Sequence, residues 1–162
     1  MLKILVTYYS RSGTTRKLAE SIALQIKADS EEIIDTKKRS GICGYILAGK
    51  DAALKRFTKI QTPTKDPATY DMVMIGTPVR DFTMATAIRT YLEEYKEKLP
   101  KELVFFCTLA SKGAESTFQD MANVCGKKPI GIISFLSKEI TKNTYQEKLS
   151  EFLKSLGLIS TL

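Results

Sequence analysis

The stretch "YYSRSGTTRK", Tyr8 to Lys17, decides how the rest of the chain is read. It follows an apolar run (Leu2, Ile4, Leu5, Val6) and leads into a helical periodicity in which Leu18, Ala19, Ile22, Ala23 and Ile26 share one face. Between strand and helix stand four hydroxyls (Ser10, Ser12, Thr14, Thr15), one glycine (Gly13) and the cations Arg11, Arg16 and Lys17. A helix start offers N–H groups that lack intrahelical acceptors, together with the positive end of the helix dipole. Hydroxyls placed beside it make an anion cradle that needs no metal. Capping the helix accounts for one hydroxyl. Four hydroxyls grouped around a glycine point to phosphate. The Walker pattern G-x-x-x-x-G-K-[ST] and the pattern G-x-G-x-x-G are both missing, and "LAGKD" lacks the upstream glycine and the Ser or Thr after its lysine.

Working outward, "LKILVTY" is followed by four more short apolar runs: "EEIID", "DMVMIGT", "ELVFFCT" and "IGIISF". Near-continuous runs of Val, Ile, Met and Phe are expected of parallel strands covered on both faces. Helical stripes alternate with them. Met84, Ala87, Ile88, Tyr91, Leu92 and Tyr95 trace one, and Phe118, Met121, Ala122 and Cys125 a shorter one. Tyr145, Leu149, Phe152, Leu153 and Leu156 make the last, with Asn143 and Gln146 spaced like a capping box and Gly157 as a stop. The alternation predicts an open α/β parallel sheet with helices on both faces. Lys37 to Phe57 fits less well and reads as a loop leading into an irregular helix. "QTPTKDPATY" reads as a proline-bearing connection to the third strand.

At 162 residues the chain is expected to form one domain over residues 1–162. It contains no histidine, which excludes histidine-based triads and histidine metal ligands. No catalytic side chain and no metal site is assigned. The three cysteines, Cys43, Cys107 and Cys125, form no C-x-x-C and read as buried free thiols. The amino-terminal apolar stretch is too short for a signal peptide or a membrane span, so a cytoplasmic protein without membrane insertion is expected. A net charge of +7 favours anionic partners. The lysines, however, are scattered singly along helices and no nucleic-acid motif is present, so a solvated face is expected rather than a nucleic-acid groove.

With these observations in place, Ser10-x-Ser12-Gly13-x-Thr15 resembles the [ST]-x-[ST]-G-x-[ST] phosphate loop of the flavodoxin family, which follows the first strand. Two further stretches carry the resemblance. "GTPVRDFTMATAIRTYLEE" is similar to the family's G-[ST]-P-V-W-x-G-x-x-A-x-x-x-[RK]-x-[FY]-L, with Gly76, Thr77, Pro78, Val79, Ala85, Arg89, Tyr91 and Leu92 matching. Arg80 stands where the aromatic is common and Phe82 where glycine is common. "FFCTLASKGAESTFQDM" resembles T-S-G-G-x-G-x-x-x-T-F-x-x-[ML] at Thr108, Gly113, Thr117, Phe118 and Met121, with Ala110 and Ser111 replacing the glycine pair.

The resemblance implies a flavodoxin-like doubly wound sheet of five parallel strands in the order 2-1-3-4-5, with FMN as cofactor. It places the FMN phosphate on Ser10, Arg11, Ser12, Gly13, Thr14 and Thr15. It places the isoalloxazine between Thr77, Pro78, Val79, Arg80, Asp81 and Phe82 on one side and Thr108, Leu109, Ala110, Ser111 and Gly113 on the other. The implied function is electron transfer with a redox partner protein or a small-molecule acceptor. Two other readings stay open: an FMN-dependent NAD(P)H:quinone-type oxidoreductase, and a flavodoxin-fold binding or regulatory module in which FMN binding is weakened or lost. Electron-transfer flavodoxins are typically acidic, and this chain is basic.

Overall fold

The computed structural model describes residues 1–37 and 57–161. The loop and irregular helix expected between Lys37 and Phe57 lie outside the described residues, as does Cys43. The described chain runs β1 (Ile4–Tyr8), α1 (Thr14–Ile26), β2 (Asp29–Glu32), a 3-10 turn at Pro67–Thr69, β3 (Met72–Arg80), β4 (Thr83–Met84) and α2 (Thr86–Tyr95). It continues through β5 (Glu102–Leu109), α3 (Ala114–Cys125), β6 (Gly131–Leu136), α4 (Ser137–Thr141) and α5 (Gln146–Ser155).

Five strands lie parallel in the order β2-β1-β3-β5-β6, which is the expected 2-1-3-4-5 arrangement. Among the described residues the sheet nevertheless has six strands, not five, because the two-residue β4 folds back antiparallel on the end of β3. A strand that short leaves no periodicity to detect.

Alternation along each strand divides the core in two. Val6, Met74, Phe106 and Phe135 face α1 and α5, meeting Leu18, Ile22, Leu149 and Leu153. Leu5, Ile75, Phe105 and Cys107 face α2 and α3, meeting Ile88, Tyr91, Leu92, Phe118 and Met121. At the central strands β1, β3 and β5 both faces of the sheet are covered, which is why these strands read as near-continuous apolar runs, while on the edge strand β6 Ile132 is exposed.

Two local expectations change. The second strand was placed on "EEIID", but pairing with β1 runs from Asp29 to Glu32, set by the register Leu5↔Asp29 and Tyr8↔Glu32. Ile33 lies beyond the strand, buried, with its N–H donated to the Tyr8 carbonyl at 2.7 Å. The Asn143–Gln146 capping box does not form. Asn143 takes a left-handed φ of 57° in the turn that closes α4, a five-residue helix that sequence periodicity had not revealed. The helix that follows starts at Gln146 without a side-chain cap.

Gly157 does end α5 as expected. Its φ is 71°, its N–H bonds the Lys154 carbonyl at 2.9 Å, and the Leu158 N–H bonds the Leu153 carbonyl at 2.9 Å, the paired bonds of a Schellman motif. Cys107 and Cys125 are buried free thiols. Among the described residues no helix is long and apolar enough to cross a membrane.

Candidate functional site

The chain leaves β1 toward β2 on one side of the sheet and later returns to β3 on the other. The switch point therefore falls between β1 and β3, at their carboxyl ends. The register sets Tyr8 opposite Gly76, Pro78 opposite Thr108 and Leu109 opposite Leu136, so the three loops singled out in the sequence open at one edge. Specific bonds join them. The Tyr9 N–H reaches the Gly76 carbonyl at 3.2 Å, and the hydroxyls of Thr15 and Thr108 lie 2.7 Å apart in the interior.

In the first loop the four hydroxyls take two different jobs. Ser10 is buried, and its Oγ accepts the N–H groups of Gly13 and Arg16, each at 3.1 Å. It thereby closes the loop and caps the third residue of α1 from outside the helix. Thr15 is turned inward onto Thr108. Gly13 has a φ of 95°, a conformation that L side chains rarely adopt, and this lets the chain turn sharply into α1. Ser12 and Thr14 remain toward solvent, their hydroxyls 3.3 Å apart. Among the described residues the N–H groups of Ser12, Thr14 and Thr15 have no protein acceptor. Open donors at a helix start, beside two outward hydroxyls, fit the charge and acceptor count of a phosphate.

Two of the three cations in this stretch are tied to other elements. Arg16 donates from Nε and Nη2 to both oxygens of Glu32 at 2.8 to 3.0 Å, a bidentate pair that ties α1 to β2. The bond to Glu32 raises the Arg16 pKa. Lys17 Nζ donates to the Ile140 carbonyl at 3.0 Å, joining α1 to α4. Arg11 is exposed beside the loop.

In the second loop Thr77 is fully buried. Its Oγ1 accepts the Ala85 N–H and donates to the Pro78 carbonyl, both at 2.9 Å, so the hydroxyl braces the loop from inside. Pro78, Val79 and Arg80 continue β3 half-buried. Asp81 and Phe82 then turn the chain with φ of 47° and 64°, while Arg80 pairs with Thr83. Positive φ at both central residues is the signature of a type I′ hairpin turn. Phe82 projects outward and is 55% exposed.

Beneath the turn, the Thr83 hydroxyl donates to Asp120 Oδ2 at 2.5 Å and accepts from Arg89 Nη2 at 2.9 Å. Arg89 lies 3.5 Å from the same carboxylate and is 6% exposed. Burial lowers its pKa, and the Asp120 charge opposes that shift.

In the third loop Thr108 and Leu109 are buried while Ala110 and Ser111 are exposed. Gly113 has a φ of 110°, and a Cβ there would come within 3.1 Å of Val79 Cγ1 and 3.2 Å of Phe82 Cα. The second and third loops thus touch through a glycine. Lys112 Nζ stands 5.6 Å from the Phe82 ring centre, and Ser116 Oγ donates to the Phe82 carbonyl at 2.6 Å.

Sequence reasoning found all three loops but missed the groups that hold two of them together. Ser116 and Asp120 were not singled out, although their i, i+4 spacing places both on one face of α3. Arg89 was noted only as a match to a pattern.

A doubly wound parallel sheet, with helix-start N–H groups and hydroxyls facing outward after its first strand and two touching loops at the switch point, defines a flavodoxin-like α/β protein. The family model described as Flavodoxin matches residues 3–152, and the chain belongs to this family. Among solved structures it is similar to a flavoprotein in complex with FMN from Lactobacillus acidophilus NCFM. The two share 27% identity and a TM-score of 0.73, over 93% of this chain and 99% of that one. It is also similar to the apo-form of the flavoprotein from the same organism, at 30% identity and a TM-score of 0.64, over 88% of this chain and 97% of that one.

Proposed function

We propose that this protein binds FMN at the switch point and serves as a cytoplasmic electron carrier for a redox partner protein or a small-molecule acceptor. The observation that carries this reading is the first loop. Among the described residues its N–H groups at Ser12, Thr14 and Thr15 have no protein acceptor and its Ser12 and Thr14 hydroxyls face outward, whereas Ser10 and Gly13 hold the loop in shape and Thr15 Oγ1 ties it to Thr108. In this reading those open groups take the phosphate, with Arg11 at the rim. The ring lies against Thr77 to Phe82 and Thr108 to Gly113.

Bound flavin supplies one- and two-electron redox chemistry. The chain supplies the binding and the surroundings. Phe82, exposed on its hairpin, offers an aromatic face in place of the family's aromatic at the Arg80 position. A site that opens at the carboxyl ends of the strands suits electron exchange with a docked partner, and the net charge of +7 favours an acidic one.

The experiment is a visible absorption spectrum of the untreated protein followed by parallel titrations with FMN and riboflavin. FMN is expected to bind tighter by about tenfold or more, the worth of charge-assisted bonds to its phosphate. Equal affinity for the two would remove the phosphate cradle from the reading. Steady turnover of a nicotinamide donor with a quinone would assign the protein to the oxidoreductases instead.

A further inference from the structure

We propose that Ser116, Asp120 and Arg89 are positioning residues for the flavin ring. They clamp the Phe82 hairpin onto α3, so that the second and third loops form one fixed wall of the site. The inference rests on the FMN reading above and deepens it.

The hairpin has a conformational problem. Asp81 and Phe82 both adopt left-handed backbone angles. Aspartate tolerates that region, but a bulky aromatic is an outlier there, and such a residue persists only where its surroundings over-determine it. The surroundings here are specific. Ser116 and Asp120 stand one helical turn apart on α3 and grip consecutive residues, Ser116 the Phe82 carbonyl at 2.6 Å and Asp120 the Thr83 hydroxyl at 2.5 Å. Arg89 enters from α2 and bonds the same Thr83 hydroxyl at 2.9 Å, while its charge faces Asp120 at 3.5 Å. The Thr83 oxygen thus donates to an anion and accepts from a cation, which fixes its orientation.

Gly113, at the start of the same helix, lets the Phe82 backbone approach without a side chain between them. A loop held only for stability needs no exposed aromatic at its tip. Here three polar side chains from two helices converge on a turn whose most conspicuous product is an outward Phe82 ring beside Lys112. Because α3 also carries the third loop at its amino end, a shift of the hairpin carries both ring-facing loops with it.

The test uses Thr83→Val, which keeps the shape and removes both bonds, with Thr83→Ser as the conservative rescue and Ser116→Ala as an independent cut at the surface. FMN affinity is read by fluorescence quenching. The ring environment is read by the visible circular dichroism of bound FMN, well below the melting temperature of each variant.

The expected result is that Thr83→Val weakens FMN by about tenfold and changes the visible dichroism. Ser116→Ala is expected to do the same in smaller degree, and Thr83→Ser to restore both signals. Parent-like affinity and dichroism in Thr83→Val would overturn the clamp, as would loss in Thr83→Ser equal to that in Thr83→Val. If Thr83→Val does not fold, parent-like values in Ser116→Ala overturn it. A parent protein that binds no FMN would instead bring down the reading on which the clamp rests, a result distinguishable from a failed clamp in an FMN-binding parent.

Discussion

Phe82 shows what a single residue decides in this site. The family pattern has glycine there, and the φ of 64° supplies the reason, since glycine adopts that angle without steric cost. Replacing Phe82 with glycine is expected to relieve the left-handed strain. It should raise folding stability by up to about 1 kcal/mol, the cost of αL for a bulky residue less the entropy that glycine adds to the unfolded chain. The same change should weaken FMN binding. Chemical denaturation with FMN absent and present measures the two effects separately, and a fall in the apo-protein's stability would show that the Phe82 side chain contributes more than its backbone strain removes. The first loop makes a related point. Its four hydroxyls look equivalent in sequence, yet Ser10 closes the loop, Thr15 joins it to Thr108 on β5, and Ser12 and Thr14 face outward. Composition singled out the loop; hydrogen-bond geometry separated the roles of its hydroxyls.

At the scale of elements, β3 and β5 position the site by packing edge to edge. Gly76 lies at the point where β3 nears its loop, and a Cβ there would run into the ring of Phe106 on the neighbouring strand. The glycine is therefore a matter of space, not of φ. Gly76→Ala is expected to cost about 1–3 kcal/mol as an overpacking substitution, and thermal unfolding measures it. A loss confined to a few tenths would mean that the Phe106 ring has room to swing aside. Strands β1, β3, β5 and β6 were legible as short apolar runs, and helices α1, α2, α3 and α5 as apolar stripes long enough to detect. The two-residue β4, the five-residue α4 and the register of β2 were not. The register of β2 depends on β1, a partner distant along the chain, whereas β4 and the turn at Asn143 bond residues only a few positions away and are too short to leave a periodicity.

For the whole molecule, the way the sheet buries its polar groups predicts a response to alkali. Burial pushes the Cys107 thiol from its ordinary 9.0 up to about 12. Burial, and then donation to Asp29, pushes the Tyr70 phenol from 10.0 up to about 12. Tyr8, Tyr91 and Tyr95 are raised as well, chiefly by burial. Above pH 9.0 to 10.0 the unfolded chain releases these protons while the folded chain keeps them. The folded state then binds more protons than the unfolded one, so stability falls as pH rises through that window toward 12. The melting temperature is expected to drop across that interval, and Tyr70→Phe to flatten the part above 10.0. A melting temperature that stays level throughout would contradict the burial of these groups.

The sequence by itself determined the layering of this protein and, through the family resemblance of three short motifs, the order of its five parallel strands and the stretch in which a phosphate cradle is expected. Periodicity, turn chemistry and a compact motif are local properties, written within a dozen or so residues. Only the tertiary structure decided that Arg16 is spent on Glu32, that Phe82 stands on a strained two-residue turn, and that Ser116, Asp120 and Arg89 hold that turn in place. Those are contacts between residues brought together by the crossovers of a parallel sheet. Their energies depend on distance and burial, which the order of residues along the chain does not state.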